Sequence, residues 1–162
     1  MSELLLEREQ LVPCGKEEAF EFFSDAYNLQ LITPPFLRFK ILDVRPAQLC
    51  RDALIDYRLV LHGFPIRWRT RIESWEPPHA FVDVQLKGPY ALWHHTHTFE
   101  SVDDGTLIRD RIRYRLPLGT LGRIVAGRLV EHDLRRIFDY RRDATARILG
   151  ESPKSADAET ER

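Results

Sequence analysis

The chain has 162 residues, enough for one domain with a sizeable core, and its 43% hydrophobic and 30% charged content is ordinary for a globular protein. A formal net charge of −1 sets up no field that would recruit nucleic acid or an anionic membrane, and no apolar run approaches the roughly 18 residues of a transmembrane segment. Two cysteines, Cys14 and Cys50, are too few for a disulfide framework and have no Cys or His at metal-ligand spacing. With an N-terminus that lacks a basic region and a long apolar run, they make a reducing cytoplasm the expected compartment.

Residues 3–12 read as a strand ended by Pro13. Lys16 to Ser24 carries Ala19, Phe20, Phe22 and Phe23 at helical spacing, and a second short helical turn over Ala26 to Leu31 stops at Thr33-Pro34-Pro35, since proline disfavours helix in the residue before it. Strands follow near 38–45 and over Leu54 to Leu61, then a turn at His62-Gly63-Phe64-Pro65. Ile66 to Trp75 alternates, with Ile66, Trp68, Thr70 and Ile72 on one face and Arg67, Arg69, Arg71 and Glu73 on the other. After Pro77-Pro78 comes a short strand over Ala80 to Leu86, and then the strand Leu92-Trp93-His94-His95-Thr96-His97-Thr98-Phe99. Asp103-Asp104-Gly105 is a hairpin signal. In Thr106 to Leu116, Ile108, Asp110, Ile112 and Tyr114 face away from Arg109, Arg111, Arg113 and Arg115. Residues Leu121 to Leu149 read as one helix on the order of 40 Å long, with an apolar stripe through Ala126, Val130, Leu134, Ile137, Ala144 and Ile148. The polar, small-residue-rich stretch 151–162 reads as a disordered tail beyond a single domain over 1–150. The short connections predict sequential antiparallel pairing, and a sheet with one apolar face needs a cover that only the terminal helix is long enough to supply.

The most chemically specific feature is the pair His95 and His97. Both share a strand face with Trp93 and Phe99, whose burial carries the imidazoles inward. Three roles are open to them: lining a pocket as orienting or proton-transferring groups, bonding within a half-buried core, or ligating a metal. The last needs a third ligand, for which Asp110 is the candidate, and the expectation is no metal. Asp110 points inward by alternation and Arg141 lies in the helix's apolar stripe, so each needs a partner: the other, or another inward polar group. Tyr57, Trp68, Trp93, Tyr114 and Ile137 complete the candidate ligand-binding set with His95, His97, Asp110 and Arg141; His95, His97 and Asp110 are also the candidates for any catalysis. The arginine rows read as a solvated outer sheet face, with docking to an acidic partner as the other option.

The element order, with Gly88-Pro89-Tyr90, Trp93-His94-His95-Thr96-His97-Thr98-Phe99 and Gly105-Thr106-Leu107-Ile108-Arg109-Asp110, resembles the START/SRPBCC superfamily, and within it the polyketide cyclase/dehydrase-like bacterial branch. The resemblance covers about residues 3–149. It implies an α+β helix-grip fold: a curved seven-stranded antiparallel sheet wrapped around a long C-terminal helix, two short helices after the first strand, and a cavity between sheet and helix. It also implies a small hydrophobic or aromatic ligand of polyketide, lipid or quinone type and no cofactor. Because one fold hosts many chemistries, two other functions stay open: a cyclase or dehydratase using His95 or His97 as acid/base, and a protein-interaction module with a filled core.

Overall fold

The computed structural model describes residues 3–150, leaving aside the Arg123 side chain. The tail expected over 151–162 lies outside the described residues. Seven strands, β1 (Leu4–Val12), β2 (Lys40–Arg45), β3 (Leu54–Leu61), β4 (Phe64–Glu76), β5 (Ala80–Lys87), β6 (Leu92–Val102) and β7 (Gly105–Arg115), form one curved antiparallel sheet. Its order is β1-β7-β6-β5-β4-β3-β2, so neighbours from β2 to β7 are sequential and β1 closes onto the last strand. Helix α1 (Lys16–Ser24) and two 3-10 turns, Ala26–Gln30 and Pro35–Leu37, carry the chain from one edge of the sheet to the other. The second of these turns is absent from the sequence expectation: Pro34-Pro35 starts a new turn instead of leading straight into β2. Helix α2 (Gly119–Gly150) lies against the inner face. No helix among the described residues is long and apolar enough to cross a membrane.

Alternation determines what the inner face holds. Trp68, Thr70 and Ile72 of β4, His95, His97 and Phe99 of β6, and Ile108, Ile112 and Tyr114 of β7 are all buried. At the end capped by α1, Phe20 meets the rings of Trp75, Phe81 and Phe99 edge-on at centroid distances of 5.2, 5.9 and 5.3 Å. The arginine row of β7 faces outward, where Arg109 bonds Glu9 and Glu100 and Arg113 bonds Glu3. These pairs leave the sheet's outer face an evenly mixed surface, each pair adding little stability.

Two tight turns place the ends of the inner layer. His62 and Gly63 form a two-residue hairpin turn with φ of 50° and 83°, the left-handed pair that a tight β3–β4 connection needs and that glycine adopts without strain. After Pro117, Gly122 of α2 packs so close to the Pro117 carbonyl that any Cβ there would collide with it. In the first third of α2 the stripe residues Ala126 and Val130 are half-buried, while Leu121, Ile124, Val125 and Leu129, outside the stripe, are exposed. Farther along, Leu134, Phe138, Ala144 and Leu149 are buried.

The hairpin tip is tied to α2. His62 Nε2 lies 2.7 Å from Asp133 Oδ2, and the aspartate is buried although the histidine is half exposed. His62→Ala leaves this carboxylate buried without its partner, at a cost of about 1–3 kcal/mol. The expected result is a melting temperature lower than that of the parent protein; an unchanged value would mean that the bond is not formed in solution.

Candidate functional site

Between the inner face and α2 lies a cavity of about 170 Å³. An apolar cavity of roughly 150 Å³ is large enough for a benzene ring. Four positions of α2 one face apart, Leu134, Ile137, Phe138 and Arg141, form its roof. Tyr57, Trp68 and Trp93 supply aromatic walls: Tyr57 stacks on Trp68 at 5.7 Å, and Trp68 meets Trp93 edge-on at 5.3 Å. The loop Gly88-Pro89-Tyr90 is held against this wall because the Gln85 side chain donates to the Tyr90 carbonyl at 2.8 Å and accepts from the Tyr90 N–H at 3.2 Å. The partly exposed Leu61, Ile66 and Pro89 mark the side on which the cavity meets solvent.

The cavity's polar end is a quartet on three adjacent strands. Asp83 of β5 stands opposite His95 in the ladder, and Asp110 of β7 stands opposite His97. The contacts cross diagonally. His95 Nε2 bonds Asp110 Oδ1 at 2.8 Å and His97 Nε2 bonds Asp83 Oδ2 at 2.6 Å. His95 Nδ1 lies 3.6 Å from Asp83 Oδ2, and His97 Nδ1 lies 3.1 Å from Asp110 Oδ1 but is misaligned for a hydrogen bond. The two imidazole centroids are 3.7 Å apart, and Phe81 stacks on the other side of His97 at 4.0 Å.

Burial and charge act against each other here. Burial alone would raise both carboxylates, but the neighbouring His95 charge and the His97 bond hold Asp83 below the usual carboxylate range. The His95 bond and the close His97 ring, with Arg141 nearby, hold Asp110 well below it. Burial, with His97 alongside, pushes His95 below the ordinary imidazole value despite the two aspartates. Burial also opposes charge on His97, but its contacts with Asp110 and Asp83 prevail and raise it. Burial pushes the Tyr57 and Tyr90 phenols up, so both are neutral donors.

The structure brings Tyr57, Trp68, Trp93, His95, His97, Ile137 and Arg141 together around the cavity. Asp110 sits behind the histidines and opens instead onto a second pocket between β1 and α2, shared with Arg8, Gln10 and Thr145. Tyr114 packs with Tyr90 and Trp93 in the core beyond the cavity wall. Of the partners considered for Asp110 and Arg141, the structure joins Asp110 to the histidines. Arg141 lies over the rings of Phe23 and Phe138 at 5.3 and 5.7 Å, and its buried Nε has no hydrogen-bond partner among the described residues. Asp83 escapes the sequence reading. Its signal is alternation with Phe81, which β5 obscures because Val82, Val84 and Leu86 form the more apolar-looking face.

No family model matches the chain, and no curated protein matches it in sequence. Solved structures do match the fold. The Zhui aromatase/cyclase from Streptomyces sp. R1128 superposes with a TM-score of 0.74 at 15% identity, covering 96% of this chain and 99% of that one. The di-domain ARO/CYC StfQ from the steffimycin biosynthetic pathway gives 0.71 at 12% identity, over 92% of this chain and 52% of that one. A point mutant of Thalictrum norcoclaurine synthase, in complex with a transition-state analogue, gives 0.68 at 12% identity over 91% and 94%. Likeness at these identities is likeness of fold: the chain has the helix-grip fold that these cyclases and the synthase share.

Proposed function

We propose that the protein binds a small, mainly apolar molecule carrying an aromatic ring, enclosed between sheet and α2 with a polar oxygen turned toward the quartet. The observation that carries this reading is the cavity of about 170 Å³ with Asp83, His95 and His97 in its wall. Two further features support it. Trp68 Nε1 is buried with no hydrogen-bond partner among the described residues, and so is free to donate to a ligand acceptor. Ring contact with Trp68, Trp93 and Phe138 supplies affinity at about 2.5 kcal/mol per 100 Å² of apolar surface buried. The volume favours one or two rings over a long lipid or an extended polyketide. The cytoplasm is the compartment this reading assumes.

Native mass spectrometry of the freshly purified protein tests it, with calorimetric titration of 2-naphthol. The expected result is a co-purified small molecule, or naphthol binding, lost at least tenfold in Ile66→Trp, which fills the mouth and leaves the core alone. Absence of both a retained mass and naphthol binding in the parent protein would overturn the proposal. A second reading, acid/base catalysis, is favoured by the placement of two imidazoles in a cavity wall with a carboxylate bonded to each. Conversion of a carbonyl substrate that disappears in both His95→Ala and His97→Ala would select it.

A further inference from the structure

The quartet has two sides. His95 Nδ1 and His97 Nε2 converge on Asp83 Oδ2, at 3.6 and 2.6 Å. The other nitrogens, His95 Nε2 and His97 Nδ1, both turn to the same atom, Asp110 Oδ1, at 2.8 and 3.1 Å. A carboxylate that takes the second N–H of a histidine fixes its tautomer and aims the remaining lone pair, which is how ligating histidines are held. Here Asp110 Oδ1 bonds His95 Nε2 and lies 3.1 Å from His97 Nδ1, off the hydrogen-bond line.

We propose that Asp83, His95 and His97 form a site for one divalent transition-metal ion, zinc in the first instance, with Asp110 as the positioning carboxylate behind both rings and an open coordination position facing the cavity. The donor spacing suits it. Two donors about 2.1 Å from a tetrahedral ion lie about 3.4 Å apart. The gaps of 2.6 and 3.6 Å bracket that value, and the three ligand atoms all lie within 4.8 Å of one another. Insertion of the ion releases the proton held between His97 Nε2 and Asp83 Oδ2, and that short gap widens. Two imidazole nitrogens with one carboxylate favour zinc or iron(II) over magnesium or calcium, which prefer all-oxygen shells. Three protein ligands leave room for water or a ligand oxygen, as in catalytic rather than structural zinc sites. Strands hold all three residues: His95 and His97 are two apart on β6, and Asp83 is paired with His95 from β5. The sequence offered only Asp110 as a third ligand, and the structure puts Asp83 there.

The site needs no organic ligand, so the metal alone is the probe. Chelator-treated protein titrated with Co2+ should develop d–d absorption that saturates at one equivalent and is bleached by Zn2+. Asp83→Asn and His97→Gln should lose the absorption. Asp110→Asn should keep it with affinity weakened about 10–100-fold. His132→Ala, at an exposed position on α2, should behave as the parent. No absorption in the parent protein, or absorption that survives in both Asp83→Asn and His97→Gln, overturns the proposal. If those variants fail to fold, the imidazole nitrogen resonances of the parent protein decide: Zn2+ must shift His95 and His97, and shifts confined to His62, His79, His94 and His132 overturn the site.

Discussion

Asp110→Ala should lower the melting temperature of the chelator-treated protein by about 6–20 °C, taking about 3–5 kcal/mol for breaking a buried ionic contact and roughly 2–4 °C per kcal/mol for a chain of this size. The carboxylate is 14% exposed and is the bonded partner of His95 Nε2. Its removal leaves that N–H without an acceptor and takes one of two negative charges from beside His97 and Arg141. Asp104 is the control. It sits in the exposed turn between β6 and β7, and Asp104→Ala should cost no more than about 0.5 kcal/mol. Calorimetric melting of the two variants side by side checks the difference. Equal values would mean that Asp110 is solvated and that the quartet does not form.

Phe20→Ala should cost about 3–5 kcal/mol, the usual range for deleting a buried aromatic side chain. Phe20 is 5% exposed, and its ring is the hub on which Trp75, Phe81 and Phe99 meet. Edge-on ring pairs add to the area buried, so the void left by alanine forfeits both. Phe22, which is only partly buried on the same helix, should cost clearly less when truncated. Urea titrations of both variants give the comparison. Phe20 is not part of the cavity wall, so naphthol binding by the folded fraction should be unchanged at low temperature. A Phe20→Ala loss below about 1 kcal/mol would show that α1 does not close that end of the sheet.

The elements that could be read from the chain are those with a sharp period or a sharp break. Lys16–Ser24 and Leu54–Leu61 fall where the pattern of Phe20, Phe22 and Phe23, and the alternation of Ile55, Tyr57 and Leu59, put them. The inward turn of His95 and His97 was legible because Trp93 and Phe99 bracket them on one face. Less legible were the pairings across strands. Which carboxylate meets which imidazole depends on register between β5, β6 and β7, and a register is a property of two strands. This is why Asp83 was missed and why Arg141 was offered Asp110 as a partner. That the first third of α2 also carries exposed apolar residues outside the stripe was hidden for a related reason. Helical spacing says which residues share a face but not how far along the helix the sheet extends beneath it.

The bond between His62 and Asp133 has a kinetic consequence. Leu61 and Ile66, at the solvent side of the cavity, flank the hairpin turn that this bond fastens to α2. If passage that way waits on the tip lifting, the bond must break first. Cutting the tether by His62→Ala would then speed arrival and departure by the same factor, shortening residence time while the dissociation constant stays where it was.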